Sequence, residues 1–281
     1  MAMHDVLLQA LALAHVALAG AFVLDLLRQH RSSAATIAWI AILLLLPYLG
    51  LLLYVLAGAP RKRSAALADY LAAHVHLPLD GDSGHCTETE RLLRALGLPA
   101  ATRGNQVRLL VRNEHAADEL LALIRSARQR VLLQVFSLEA DEAGRAIIGA
   151  LSERAAAGVQ VRLLVDGYGS IELATDPLAA LRAAGGRIAR HRPLLTTGSL
   201  RGAFNYRNHR KLVVADGVRA WVGGRNMARK YLASEPDGSH WADLSLRIEG
   251  PAAAIFESVF RSDWLAASGE ELAGEPAIEP A

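Results

Sequence analysis

The 281-residue chain is long enough for two modules in tandem, and its hydrophobic content of 52%, with a mean hydropathy of +0.23, is high for an ordinary soluble protein. Thirty basic residues against 28 acidic ones leave a formal net charge of only +2, so overall charge gives no argument for binding nucleic acid. The single cysteine, Cys86, excludes a disulfide within the chain.

Two apolar runs near the N-terminus account for the excess hydrophobicity. Val6 to Leu27 and Ile37 to Leu56 contain 22 and 20 residues, each enough for a helix to cross a hydrocarbon core of about 30 Å. The second run carries no charge, whereas the first contains His15 and Asp25, so the second is the stronger candidate span. We expect a retained two-helix transmembrane hairpin over residues 1–59, with His15 as a helix-packing contact.

Basic residues beside the two runs predict their orientation. Arg28 and Arg31 lie between the runs, and Arg61, Lys62 and Arg63 follow the second. Because cytoplasmic flanks are enriched in Lys and Arg, this distribution favours a cytoplasmic C-terminal domain.

Residues 60–105 have the composition of a connector, with a juxtamembrane helix, a polar turn at 80–84 and a short helix near Glu88 to Leu96. Three histidines and a cysteine lie here (His74, His76, His85 and Cys86), but their spacing matches no zinc-binding pattern. We therefore expect no metal site in this segment.

From residue 106 to residue 267, short β-branched or leucine-rich runs alternate with amphipathic stretches, which predicts an α/β domain with a sheet flanked by helices. The tail 268–281 is rich in Glu, Ala, Gly and Pro and is expected to be disordered. The predicted strands are Val107–Val111, Arg130–Phe136, Val159–Val165, Arg187–Arg190, Lys211–Ala215, Ala220–Val222 and Leu244–Ile248. The predicted helices are Ala116–Ala127, Glu142–Ala157, Pro177–Ala184 and Pro251–Trp264.

One motif concentrates the chemistry of this domain: His209-x-Lys211-x4-Asp216, followed after six residues by Gly-Gly224-x-Asn226. If Lys211 begins a strand, His209 and Lys211 point to the same face, where both can contact one bound group. Histidine is a competent nucleophile towards phosphorus, and lysine can stabilise the phosphoryl oxygens.

The remaining residues of the motif suit supporting roles. Asp216 is a candidate to orient the motif, Gly224 lets the backbone approach closely, and Asn226 offers an amide donor to phosphate. The simpler interpretation is a structural histidine beside a solvated lysine. Against it, the chain uses only three lysines among its 30 basic residues, and one of them lies two positions after a histidine.

This motif resembles the HKD motif of the phospholipase D superfamily. Phe136 to Gly144, Gly158 to Ser170 and Trp241 to Pro251 are similar to stretches of bacterial cardiolipin synthases, as is the N-terminal hairpin. The resemblance implies a phospholipase-D-like mixed sheet in a multi-pass protein of the bacterial inner membrane. It also implies that two phosphatidylglycerol molecules are condensed through a phosphatidyl-histidine, without metal or cofactor. His209, Lys211 and Asp216 would be catalytic, and Gly224 and Asn226 would bind the anionic phospholipid.

The chain departs from the family pattern in two respects. Superfamily members commonly carry Ser where Gly224 stands, and cardiolipin synthases carry two HKD motifs, whereas this sequence contains one. Because one histidine is phosphorylated while another protonates the leaving alcohol, a homodimer or a second HKD-bearing chain is expected to complete the site. Three hypotheses remain open: a homodimeric phosphatidyltransferase or phospholipase, a non-catalytic half that binds lipid or a partner, and a membrane-tethered nuclease, which is the least favoured.

Overall fold

The computed structural model describes residues 2–28, 33–46, 48–58, 87–95, 101–171, 173, 175–191, 207–234 and 238–272. These residues belong to two compact units, one N-terminal (2–58) and one C-terminal (87–272). Most of the predicted connector, including its four potential metal ligands, lies outside the described residues.

The N-terminal unit begins with α1 (Ala2–Leu27), a helix of 26 residues, followed by α2 (Ser33–Leu45) and α3 (Leu49–Leu53), which continues into a π-helical turn (Tyr54–Gly58). Within α1, residues 3–27 are long and apolar enough to cross a membrane, judged by length and composition. The second apolar run, which the sequence predicted to be the stronger candidate span, is not one continuous helix. Its first helix ends two residues before Pro47, and the φ angle of Tyr48 is 62°, which is outside the helical range.

Polar side chains join the helices of this unit. The hydroxyl of Tyr48 donates to the carbonyl of Leu11 at 2.7 Å, and the Tyr48 ring lies 5.3 Å from that of buried His15. The hydroxyl of Tyr54 donates to Asp25 at 3.1 Å. His15 is therefore a helix-packing contact, as the sequence predicted.

The C-terminal unit is a seven-stranded mixed sheet with helices on both faces, which confirms the α/β prediction. All seven predicted strands are present, with bounds that differ from the predicted ones by at most one residue at either end. The strands are β1 (Gln106–Leu110), β2 (Arg130–Val135), β3 (Gln160–Asp166), β4 (Arg187–His191), β5 (Lys211–Ala215), β6 (Arg219–Gly223) and β7 (Ser245–Glu249). The helices are α4 (Glu88–Ala95), α5 (Asn113–Arg125), α6 (Glu142–Ala156), α7 (Thr175–Ala183), α8 (Arg229–Leu232) and α9 (Ala252–Ser268).

The strand order is β1-β7-β6-β5-β2-β3-β4. Strands β2, β3 and β4 pair in parallel and are linked by α6 and α7, as expected for crossover connections. The other neighbours pair antiparallel. As a result, the carboxyl ends of β2 and β3 lie at the same end of the sheet as the start of β5.

Two hydrophobic layers cover the sheet. Alternate strand residues, among them Leu133, Val213 and Trp221, pack in one layer with α5, α6, α7 and α8. The intervening residues, such as Leu132 and Val214, pack under α9. This alternation follows from the two-residue period of a strand, and β2 is buried along its whole length because it is central.

Residues 269–272, which follow α9, contact the sheet and α9, and the rest of the tail expected to be disordered lies outside the described residues. The carboxylate of Glu270 accepts hydrogen bonds from Arg162 at 3.0 Å, Arg187 at 2.8 Å and the Trp264 indole at 3.1 Å. The side chain of Leu272 is buried in the layer under α9. A single acidic residue that reaches two arginines on neighbouring strands thus holds a segment whose composition resembles a disordered tail.

Candidate active site

The strand register gathers the motif at one end of the sheet. Lys211, the first residue of β5, pairs with Gly223 at the end of β6, which in turn pairs with Ser245 at the start of β7. On the other side of β5, the residue after Lys211 pairs with Gln134 near the end of β2. The motif histidine and lysine, the Gly-Gly pair and the residues after β2 are therefore neighbours.

His209 and Lys211 meet over one aromatic ring. The exposed imidazole of His209 stacks on Phe136, with ring centroids 4.0 Å apart and an interplanar angle of 26°. The half-buried Lys211 ammonium lies 5.6 Å from the centroid of the same ring and donates to the backbone carbonyl of His209 at 3.0 Å. A potential nucleophile and a positive charge are thus held side by side.

Asn208 fixes the backbone immediately before the histidine. Its N–H donates to Asp166 at 3.1 Å, and its side-chain amide donates to Asp263 at 2.9 Å. Asp263 also accepts hydrogen bonds from Gln134 at 2.6 Å and from Arg210 at 2.8 Å. Because Asp166 ends β3 and Asp263 belongs to α9, two separate elements set the position of the backbone before His209.

Gly224 lies directly against Asp243. A β-carbon at Gly224 would be 2.2 Å from Oδ1 of Asp243, and the Asp243 carboxylate is itself held by the N–H of Leu244 at 2.6 Å. A β-carbon at Gly223 would be 2.4 Å from the backbone oxygen of Leu244. The two glycines therefore allow the chain before β7 to approach closely, and the substrate-binding role of Gly224 stays a prediction.

Asp243 adds a negative charge to the site. Burial lowers the pKa of the Lys211 ammonium below its ordinary value, and the charge of Asp243 opposes this shift. Burial also lowers the pKa of the fully buried Arg225, and the charge of Asp243 again opposes the shift. The Arg225 guanidinium donates to the carbonyls of Leu110 at 2.9 Å and Val111 at 2.5 Å, so it links β6 to the edge strand.

Asn226 faces the end of β2. Its Oδ1 accepts a hydrogen bond from the N–H of Ser137 at 3.3 Å, and the residue is buried. The N–H of Met227 donates to the carbonyl of Ser137 at 3.0 Å. With its oxygen occupied, Asn226 keeps its NH2 group as the donor that can contact an anion.

Asp216 is not brought together with the other predicted catalytic residues. It follows the last residue of β5, five positions from Lys211, which corresponds to about 16 Å along a strand. Its carboxylate accepts hydrogen bonds from the backbone N–H groups of residues 128–130 at 2.8–3.2 Å and pairs with Arg219 at 2.8 Å. Burial would raise the pKa of Asp216, but these donors outweigh that effect and lower it.

The geometry suits nucleophilic chemistry on an anionic ester. The site combines an exposed imidazole, an ammonium with a lowered pKa and an amide donor, and the backbone close to them carries no side chain at two successive glycines. Sequence reasoning missed Phe136, Asp166, Asp243 and Asp263. The sequence contained a signal for Phe136 and Asp166, because both lie at the carboxyl ends of predicted strands. Ligands of α/β sheets bind beyond the carboxyl ends of parallel strands.

A mixed sheet with a His-x-Lys pair at one strand end and a Gly-Gly-x-Asn turn at the next defines a phospholipase-D-like domain. Residues 120–264, or 145 of 281, match the family model described as "Cardiolipin synthase, PLD-like domain", and the chain belongs to that family. Residues 17–58 match a second family model, described as "Phospholipase_D-nuclease N-terminal".

Individual proteins agree with this assignment. Cardiolipin synthase 1 of Bacillus cereus is 33% identical over 263 residues, which cover 85% of this chain and 50% of that protein. Cardiolipin synthase A of Pseudomonas fluorescens is 32% identical over 255 residues, covering 85% and 53%. The chain thus spans about half the length of the curated relatives it matches. Among solved structures, the phospholipase D family member Nuc from Salmonella typhimurium is 18% identical, with a TM-score of 0.45 over 58% of this chain and 96% of Nuc.

Proposed function

We propose that the chain is a membrane-anchored phosphatidyltransferase of the cardiolipin synthase type, which acts on glycerophospholipid phosphodiesters. The substrate would be phosphatidylglycerol, and a second phosphatidylglycerol molecule would be the acceptor. One observation carries the proposal: the exposed His209 imidazole and the Lys211 ammonium lie together over Phe136, at the sheet end that also holds Gly224 and Asn226.

The reaction would proceed in two displacements. In the first, a ring nitrogen of His209 attacks phosphorus, and the bond between phosphorus and the oxygen of the head-group glycerol breaks. A second histidine protonates the departing glycerol alkoxide. In the second, that histidine takes the proton of the acceptor hydroxyl, whose oxygen attacks phosphorus and releases His209. Lys211 would stabilise the phosphoryl oxygens in both transition states, and Asn226 would add a hydrogen bond.

The second histidine would come from a second copy of this chain, related by a twofold axis. The 281 residues contain one His-x-Lys-x4-Asp sequence, and a twofold interface would bring two copies of His209 to one substrate. Large apolar side chains around the sheet end support an interface there. Val111 follows β1 and is 60% exposed, Leu244 precedes β7 and is 51% exposed, and Trp241, in the segment before β7, is 60% exposed.

The N-terminal unit would anchor the enzyme in the bacterial inner membrane as a helical hairpin, with the catalytic unit in the cytoplasm. The apolar surface of α1 supports the anchor, because its leucines and valines are largely exposed, for example Val6 at 63% and Leu13 at 72%. The basic residues Arg61, Lys62 and Arg63 support the orientation.

The test is phosphatidylglycerol turnover by the full chain in detergent, with cardiolipin and phosphatidic acid measured separately. Wild type is expected to produce cardiolipin, and His209→Ala to produce neither product. His115→Ala, which removes an exposed histidine of α5, serves as the matched control and should retain full activity. For a dimer, specific activity should fall on dilution together with the size of the particle. Turnover by His209→Ala would refute the nucleophile, and an inert wild type would favour a half that binds lipid or a partner.

A further inference from the structure

Phe136 is the residue that both motif side chains contact. It follows β2 directly, where the chain leaves a fully buried strand, and its ring is only half-buried. His209 stacks on this ring and the Lys211 ammonium lies near it, at the distances given above. The ring is not among the buried residues of either hydrophobic layer, so filling the core does not account for its position.

The surrounding backbone holds the ring in place. The hydroxyl of Ser170 donates to the carbonyl of Phe136 at 3.0 Å, and the N–H of the next residue, Ser137, donates to Asn226. A β-carbon at Gly169 would be 2.3 Å from the carbonyl oxygen of Phe136 and 2.9 Å from Cε1 of its ring. The chain at residue 169 therefore packs on Phe136 as closely as a glycine allows. The ring is therefore a fixed surface rather than a mobile side chain.

We propose that Phe136 is a positioning residue for the transfer reaction: its ring fixes the plane of the His209 imidazole and the location of the Lys211 ammonium. The inference rests on the proposed function. An exposed imidazole without a stacking partner rotates among several rotamers, and only some of them direct a ring nitrogen towards phosphorus. The face of the ring also attracts the ammonium and the positive charge that the imidazole acquires when it is phosphorylated.

The variants Phe136→Leu and Phe136→Tyr test this role. Leu keeps an apolar side chain but removes the flat ring, so kcat should fall about 10- to 100-fold, as for other small misplacements of a reacting group. KM should stay within about twofold, because binding contacts are kept. Tyr retains the ring and should restore kcat to within about threefold of wild type. Phe260→Leu is the matched control, because Phe260 lies on α9 and is fully buried in the layer between that helix and the sheet: the substitution should lower stability and leave kcat unchanged.

A readout independent of turnover is the NMR spectrum of the full chain in detergent with 13C-labelled histidine, in which the His209 signal is assigned by its loss in His209→Ala. Stacking at 4.0 Å predicts an upfield ring-current shift of the His209 protons in wild type and Phe136→Tyr, and its loss in Phe136→Leu. Loss of the shift together with loss of kcat would support the role. An unchanged kcat in Phe136→Leu, with His209→Ala inactive, would overturn the positioning role alone. Turnover by His209→Ala would overturn the proposed function instead.

Discussion

Substitution of Asp216 by Asn separates a structural role from a catalytic one. Asp216 and Gly217 both have positive φ, 55° and 76°, and the N–H of Val218 reaches the carbonyl of Ala215 at 3.3 Å, which is the pattern of a type I′ hairpin turn. Asn is at least as well suited to this turn as Asp, so the substitution removes the charge without straining the backbone. Substitution by Ala would remove the charge and also strain the backbone at a positive φ, so it would not separate the two effects.

The magnitude follows from the contacts of each oxygen. Oδ1 accepts from the N–H groups of Gln129 at 2.8 Å and Arg130 at 3.1 Å, and an Asn oxygen can keep both hydrogen bonds. Oδ2 accepts from Arg219 at 2.8 Å, and an NH2 group in its place loses this hydrogen bond. The N–H of Arg128 reaches both oxygens, Oδ1 at 3.2 Å and Oδ2 at 3.1 Å, so it keeps Oδ1 as an acceptor. At about 1.5–3 kcal/mol for a hydrogen bond to a charged group, unfolding free energy should fall by about 1.5–3 kcal/mol. Because the site lies at the other end of β5, kcat should change less than about threefold.

Urea unfolding in detergent, followed by fluorescence of the buried Trp221 and Trp264, measures the stability term, and cardiolipin formation measures kcat. Because folding lowers the pKa of Asp216, its stabilisation is complete above the unfolded pKa and is lost as pH falls through the folded value. The difference between wild type and variant should therefore shrink below about pH 4. Asp118→Asn, at an exposed position on α5, is the control and should change stability by less than about 0.5 kcal/mol. A large loss of kcat with an unchanged unfolding midpoint would refute the structural assignment.

The remaining predictions concern the charges and close contacts of the C-terminal unit. The pH above which kcat/KM falls should lie below the ordinary lysine pKa, because burial lowers the pKa of Lys211. Asp243→Asn should move this alkaline limit to still lower pH, because it removes the charge that opposes the effect of burial. An unchanged limit would contradict the role of Lys211 as the group that titrates. Gly224→Ala should displace the Asp243 carboxylate, shift the limit in the same direction and cost about 1–3 kcal/mol of stability. Gly149→Ala, in the middle of α6 with no atom within 4 Å of its new β-carbon, should instead stabilise by about 0.5–1 kcal/mol. Glu270→Ala should lower the free energy of unfolding by about 1–2 kcal/mol without changing kcat, because it removes hydrogen bonds from Arg162 and Arg187. An unchanged free energy of unfolding would mean that these hydrogen bonds do not stabilise the fold.

The parts of the molecule that depend on neighbouring residues in the chain were readable from the sequence. The seven strands follow from short β-branched and leucine-rich runs, and the crossover helices follow from amphipathic stretches between them. The proximity of His209 and Lys211 follows from the two-residue period of a strand. The role of His15 as a packing contact followed from its place on an apolar helix.

Two features of the molecule differ from what motif spacing and hydropathy predicted. Asp216 belongs to the motif by spacing, yet it lies one strand length from His209 because five strand residues separate it from the site. The second apolar run carries no charge, yet it does not form one helix, because hydropathy ignores the backbone requirements of Pro47 and its neighbours.

The chain alone thus determined the elements and the proximity of His209 and Lys211, since periodicity and motif spacing are local properties. Only the tertiary structure decided which groups surround that pair. Phe136 and Asp243 reach it because β5 lies between β2 and β6, with β7 next in order, and Asp263 reaches Asn208 from α9. Strand order reflects the packing of whole faces of the sheet, and no short window of sequence contains that information.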